Sequence, residues 1–349
     1  MAQYSRRDVL KLGGAIATVA GLTSAKFAFA AETPAAAKLY IEAKKEGELN
    51  LYWGSYEQKT IEAIRDAFIA RYPGIRVNLL RQGSQTVYTR LRLELQRNAP
   101  NCDSLGTTNL LHYTELKKIN ALLPYVPEDA RFLPEQFRQL DPDNMYHIGA
   151  ISLTAINYQS QRVKTAPASW KALLSPEYAG KITVGSPAAS GDVAHWALAM
   201  RTKFGDGYLR DFAKLNPKVG QSNVDTVTDI LAGERIVGAG APVSYTLAQR
   251  AAGQPINVQW PTDDTILNLG LTAIPAKAPH PNAAKLFNNF LYSTEVSQIL
   301  SRNLWPTLRT DVPWSDGQSL DKLKWYRNKT DNLEKQMADT VALWQSIFS

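Results

Sequence analysis

The sequence predicts an α/β fold in which helices cover a parallel sheet. The chain has 349 residues, 44% of them hydrophobic and 20% charged, a globular composition with apolar mass for a sizeable core. After the first 48 residues, short β-rich runs alternate with amphipathic helical patterns across short connections, the order that builds a sheet with helices on its faces. No internal repeat, heptad array or low-complexity tract competes with that order. At roughly 100–200 residues per domain, the length admits two units.

The first segment reads as an export signal. Ser5-Arg6-Arg7-Asp8-Val9-Leu10-Lys11 places two arginines ahead of an apolar, small-residue stretch over 12–25, and Ala28-Phe29-Ala30 offers a small-x-small cleavage site. That order predicts a twin-arginine signal peptide over 1–30, and hence a periplasmic protein. Cleavage would remove Arg6, Arg7, Lys11 and Lys26 against Asp8, so the formal charge falls from +7 to +4. A surplus that small, with no dense basic run, argues against a nucleic-acid partner. No later stretch approaches about 20 uninterrupted apolar residues, so no membrane span is expected. Cys102, the single cysteine, has no internal disulfide partner and is expected as a small buried residue.

A short helix is expected over 39–45, broken by Gly47, then a strand over 49–53 ending at Gly54-Ser55-Tyr56-Glu57. A second helix starts near Lys59, with Ile61, Ile64, Phe68 and Ile69 on its apolar face, and stops at Tyr72-Pro73-Gly74. A strand over 75–80 follows, and Gly83-Ser84-Gln85-Thr86 opens a helix carrying Leu91 and Leu95. The β-rich runs 146–158 and 256–274 read as long strands. Between them lie a strand at 182–184, helices over 191–204 and 225–231, and a strand over 236–239. A single long helical pattern is expected over 282–300.

Catalytic signatures are absent: the sequence contains no Gly-x-Ser-x-Gly, His-Glu-x-x-His or Cys-x-x-Cys. Ala179-Gly180-Lys181-Ile182 lacks the hydroxyl and first glycine of a phosphate loop and reads as a turn before a strand. Gly238-Ala239-Gly240 lacks a third glycine and reads as close backbone packing. Ser190, Asp192 and His195 form a hydrolase-like trio, but Ser190 sits where a helix begins and more naturally caps it or contacts an anion. The remaining histidines, His112, His147 and His280, are too scattered for a local metal site.

The positive signal is a set of hydroxyl-rich strand ends. Open α/β sheets bind ligands at the carboxyl ends of their strands, where helix N-termini offer free N–H groups. Ser55-Tyr56-Glu57, Ser84, Ser190-Gly191-Asp192, Ser222-Asn223 and Ser244-Tyr245 all fall at such places. Several in succession, without catalytic motifs, predict a cleft for a small polar or anionic solute.

The chain resembles the periplasmic solute-binding proteins of ABC importers, in the family that includes binders of ferric iron, phosphonates, sugar phosphates and thiamine. The resemblance is carried by Lys45-Glu46-Gly47-Glu48-Leu49-Asn50-Leu51-Tyr52, Tyr72-Pro73-Gly74-Ile75-Arg76-Val77, Asn157-Tyr158, the segment around Trp170, Ser175-Pro176-Glu177-Tyr178-Ala179-Gly180-Lys181-Ile182, Gly233-Glu234 and His280-Pro281-Asn282-Ala283-Ala284-Lys285. It implies a two-lobed α/β fold, the type II periplasmic-binding-protein fold, with two crossover strands as hinge. Lobe 1 would be discontinuous, 31–149 plus 263–349, and lobe 2 would be 150–262. The chain would bind rather than turn over its solute, needing no resident cofactor, and deliver it as a monomer to a membrane permease and its ATPase.

On this resemblance the ligand site comprises Ser55, Tyr56, Glu57, Ser84, Ser190, Gly191, Asn223, Ser244 and Tyr245. The resemblance departs at the iron site, where ferric binders carry paired tyrosines and this chain reads Ala241-Pro242-Val243-Ser244-Tyr245. The first expectation is therefore a small anionic or zwitterionic organic solute, because Asp192 beside Ser190 would repel a plain anion unless it turned away or met an amine. The alternative is Fe³⁺ as transported ligand, held by Tyr56, Glu57 and Tyr245. A secreted hydrolase is a third, remote reading.

Overall fold

The computed structural model describes residues 33–314, 318–320, 322–329 and 332–348; the expected export signal lies outside them. The first element, α1 (Pro34–Glu46), starts on the Thr33 side chain, which accepts from Ala36 N, and ends at Gly47 with φ of 71°, the left-handed cap that glycine tolerates. It leads into β1 (Glu48–Trp53), α2 (Gln58–Arg71), β2 (Arg76–Arg81), α3 (Ser84–Gln96), β3 (Ser104–Thr107) and α4 (Leu110–Lys118). After β4 (Leu122–Leu123) comes the long β5 (His147–Gln159). The next section holds β6 (Ile182–Val184), α5 (Gly191–Phe204), α6 (Asp206–Lys214), β7 (Lys218–Val219), α7 (Asp225–Leu231), β8 (Val237–Pro242) and α8 (Val243–Ala251). The chain closes with β9 (Ile256–Gln259), β10 (Thr265–Pro275), α9 (Pro281–Phe290), α10 (Thr294–Arg302), β11 (Trp325–Tyr326) and α11 (Leu333–Phe348).

The strand order β2-β1-β3-β10-β5-β8-β6-β7 divides into three zones. β2, β1 and β3 are mutually parallel on one side, and β8, β6 and β7 on the other. Between them run β10 and β5, antiparallel to each other and to their neighbours β3 and β8. These are the two expected crossover strands.

Each half has its own apolar packing. Phe68, Phe287 and Phe290 meet edge-on under the first half, while Trp170, Trp196 and Phe212 interlock under the second. Cys102 is fully buried. Gly180 has φ of 69° and turns the chain into β6. At Gly238 a Cβ would fall 1.9 Å from Asn157 Oδ1, so Gly238 marks close packing as expected.

Four expectations change. The helical pattern over 282–300 is two helices, because Ser293 accepts from Val296 N and caps α10 afresh. The β-rich run 256–274 is split at 260–264, where Asp264 adopts φ of 82°. Ile69 is 38% exposed rather than part of the apolar face of α2. The segment 263–349, assigned whole to the first half, ends in α11, whose Trp344 packs edge-on against Trp196; its final helix belongs with the second half. Among the described residues no helix is long and apolar enough to cross a membrane.

Candidate functional site

The site lies where β10 passes between the two halves. One flank of β10 pairs with β5 throughout 266–272. On the other flank, β11 pairs at Thr265 and Ile266 and β3 at Leu271, Thr272 and Ala273. Between β11 and β3, along 267–270, no described strand pairs with that flank. A cavity of about 400 Å³ opens there, lined by Thr108 beyond β3, by Leu267, Asn268 and Leu269, by His195 of α5, and by Arg327 and Asn328 beyond β11.

Beside this cavity a polar chain joins the halves. Asn268 Nδ2 donates to Asp192 Oδ1 at 3.0 Å, and Asn223 Nδ2 donates to Asp192 Oδ2 at 3.3 Å. Two residues along β10, a Cβ at Gly270 would stand 3.0 Å from Ser55 Oγ and 2.7 Å from Ala150 Cβ. Buried polar groups normally find partners. Here Ser55 Oγ, Asn268 Oδ1 and Thr154 Oγ1 are buried without one among the described residues.

The expected site residues divide. None of them lines the cavity itself: Asn223 touches Asp192, and Ser84 Oγ accepts from Thr108 N at 3.2 Å and lies 3.2 Å from Thr108 Oγ1, tying the start of α3 to the end of β3. Ser190 and Gly191 open α5 beside Asp192. The Ser190 hydroxyl makes no cap hydrogen bond, so the capping role falls away. Ser244 lies in the first turn of α8, and Tyr245 packs on Val227, Ile230 and Ile256.

Tyr56 is a correction. It is 1% exposed, sits 5.0 Å edge-on to Trp305, and donates from its hydroxyl to Gly149 O at 2.7 Å. Burial pushes its phenol well above the usual range, opposite to what a phenolate ligand needs. Glu57, exposed as a residue, still has a carboxylate screened by its neighbours. Burial raises its pKa against the lowering effect of Trp305, whose indole N–H donates to Oε2 at 2.6 Å. Tyr56, Glu57 and Tyr245 therefore do not form an open oxygen cage, and no group of three or more His, Cys, Asp or Glu side chains among the described residues is placed to hold a metal ion.

The hydrolase trio is not assembled either. The imidazole Nδ1 of His195 lies 3.3 Å from Asn328 Nδ2, which donates to His195 O at 2.8 Å. Burial lowers the His195 pKa, against the opposing charge of Asp192. Thr108, Asn268, Arg327 and Asn328 are the residues that sequence reasoning missed. For Asn268 a signal existed: a lone amide within the apolar run 266–271.

Residues 111–328 match the family described as bacterial extracellular solute-binding protein. The chain belongs to that family. A relative in Salmonella typhimurium named "Putative 2-aminoethylphosphonate-binding periplasmic protein" is 26% identical over 300 residues, covering 81% of this chain and 86% of its own. Among solved structures, the periplasmic binding protein AfuA from Actinobacillus pleuropneumoniae, with exogenous fructose-6-phosphate bound, has a TM-score of 0.70 at 20% identity, covering 86% of this chain and 97% of its own. The ferric binding protein from Campylobacter jejuni has a TM-score of 0.69 at 20% identity, covering 86% and 99%. These two likenesses establish the fold of this solute-binding protein, the type II periplasmic-binding-protein fold.

Proposed function

We propose that this solute-binding protein is the periplasmic receptor of an ABC importer, exported through its twin-arginine segment 1–30, and that its solute is a small zwitterion carrying an anionic group and an amine. The observation that carries this is the Asp192 carboxylate, held by Asn268 and Asn223 at the opening of α5. Two amide donors fix the carboxylate in place, and a carboxylate suits an ammonium group. The unpartnered Ser55 Oγ and Asn268 Oδ1 are polar positions that a solute or water would satisfy. Lobe 1 would be 31–149 with the segment from 263 to the end of β11, and lobe 2 would be 150–262 with α11. β5 and β10 would act as the hinge, and closure would present the loaded form to permease and ATPase. The name of the Salmonella relative supports a phosphonate with an amine.

Calorimetric titration of the purified protein with 2-aminoethylphosphonate, fructose-6-phosphate, putrescine and Fe³⁺ tests the proposal. Binding of the aminophosphonate, or mass-spectrometric recovery of a co-purified zwitterion, is expected. Binding of Fe³⁺ with a tyrosinate charge-transfer colour, or of the diamine alone, would sink it.

A further inference from the structure

Arg327 follows β11, whose register sets Trp325 against Thr265 and Tyr326 against Ile266 in parallel; Arg327 and Asn328 line the same cavity as Leu267 and Asn268. Its side chain lines the cavity there. Of the described residues around that cavity, Arg327 is the only Lys, Arg, Asp or Glu. Its guanidinium carbon stands 6.0 Å from the Phe137 ring centroid, and no carboxylate among the described residues pairs with it. Burial lowers its pKa with no opposing charge to raise it. A partly desolvated, unpaired cation is costly, and such charges are normally matched by an acid. The other polar groups at the wall, including Gln136, Gln139 and Thr108, are neutral donors of the kind that surround a bound oxyanion. Leu140, Leu267 and Leu269 supply an apolar wall for a short carbon chain.

We infer that Arg327 is the anchor for the anionic group of the solute, a carboxylate, phosphate or phosphonate, inside the cavity beside β10. The inference rests on the proposed receptor role and deepens it. Asn268 touches both ends of the arrangement: it lines the cavity and donates to Asp192. The acid and the base thus lie near one stretch of strand, with Asp192 for the ammonium and Arg327 for the oxyanion. Planar guanidinium matches an oxyanion by two parallel hydrogen bonds, which a lysine cannot reproduce.

The test compares the wild-type chain with Arg327→Gln, Arg327→Lys and Gln139→Glu, each titrated with 2-aminoethylphosphonate, methylphosphonate, acetate and putrescine. Circular dichroism serves as a check that each variant is folded. Gln139→Glu keeps Arg327 but adds an acid at the same cavity, so it tests the site without removing the half-buried cation. Loss of a charge-assisted pair predicts that Arg327→Gln weakens phosphonate binding on the order of 100-fold. Arg327→Lys should weaken it less, and Gln139→Glu should weaken it by about 10-fold or more. Equal phosphonate affinity in the wild type and in folded Arg327→Gln and Gln139→Glu would overturn the role of Arg327 while leaving the receptor reading standing. If the wild type binds only putrescine, or none of these probes, the inference and the zwitterion reading fall together.

Discussion

Asn268 and Asp192 are joined across the change from one half of the sheet to the other, with Nδ2 of the amide 3.0 Å from Oδ1 of the acid. Asn268 belongs to a crossover strand and Asp192 to the first turn of α5. The acid at the helix opening is therefore tied at one oxygen to the crossover strand, while its other oxygen accepts from Asn223.

Replacing Asp192 separates charge from shape. Asp192→Asn keeps the volume and removes the acid, so affinity for 2-aminoethylphosphonate should fall on the order of 10- to 100-fold. Methylphosphonate binding should hold or strengthen. Asp192→Ala additionally strips Asn268 and Asn223 of their shared acceptor, which should lower stability by about 1–3 kcal/mol. Calorimetry and urea denaturation measure the two effects. An unchanged aminophosphonate affinity in Asp192→Asn would remove the ammonium role.

Tyr56 offers a sharp contrast between a core residue and a metal ligand. Tyr56→Phe removes the donor to the buried Gly149 O and should cost about 1–3 kcal/mol of stability. It should leave an Fe³⁺ titration of the chelator-treated protein as it was. A visible charge-transfer band present in the wild type and lost in Tyr56→Phe would show that the phenol leaves the core to bind metal.

Why Tyr56 misled is physical. A hydroxylated aromatic at a strand end has the same local sequence signature whether its ring turns to the cleft or to the core, and only the tertiary neighbours Trp53 and Trp305 decide. Local patterns did locate β6, α5 and α7 to the residue, because turn residues and apolar spacing sit within each segment. The places of Ser55, Ser84 and Asn223 at strand-to-helix turns were legible for the same reason. Arg327 and Asn328 owe their place to β11 pairing with β10 across some sixty residues of sequence, and no local spacing encodes a contact so distant. The packing of α11 on α5, where Trp344 meets Trp196, was hidden by a still longer separation.

Stability should depend on pH through His112. Its ring stacks on Tyr88 at 4.0 Å between centroids, and burial lowers its pKa from 6.5 to about 4. Above pH 6.5 the ring is neutral in both folded and unfolded chains and contributes no slope. As pH falls from there, the unfolded chain takes up the proton first, so stability drops by up to about 1.4 kcal/mol per pH unit until the folded ring also titrates. His147 is shifted in the same direction and adds to the loss. Urea denaturation between pH 4.5 and 7 should therefore show a shallower slope for His112→Asn than for the wild type. Identical slopes would mean that His112 takes up its proton alike in the folded and unfolded chains.

Gly270 should be the least replaceable position in the crossover region. It lies opposite Ala150 in the β5–β10 ladder, immediately before a register shift. A methyl group there would come within 2.7 Å of Ala150 Cβ and 3.0 Å of Ser55 Oγ. The Ala150 methyl is fixed to the adjacent strand and cannot withdraw, while the Ser55 side chain, buried just beyond the end of β1, can turn aside only against its packing. Gly270→Ala should therefore cost about 1–3 kcal/mol through overpacking and push Ser55 away from β10. Because Ser55 Oγ is one of the unpartnered groups proposed to face the solute, the ligand-induced rise in melting temperature should shrink as well. Ser55→Ala should reduce that rise without the overpacking cost. A Gly270→Ala protein with wild-type stability and wild-type ligand response would show that β10 and Ser55 are not in contact during binding, and that closure rearranges the floor of the site.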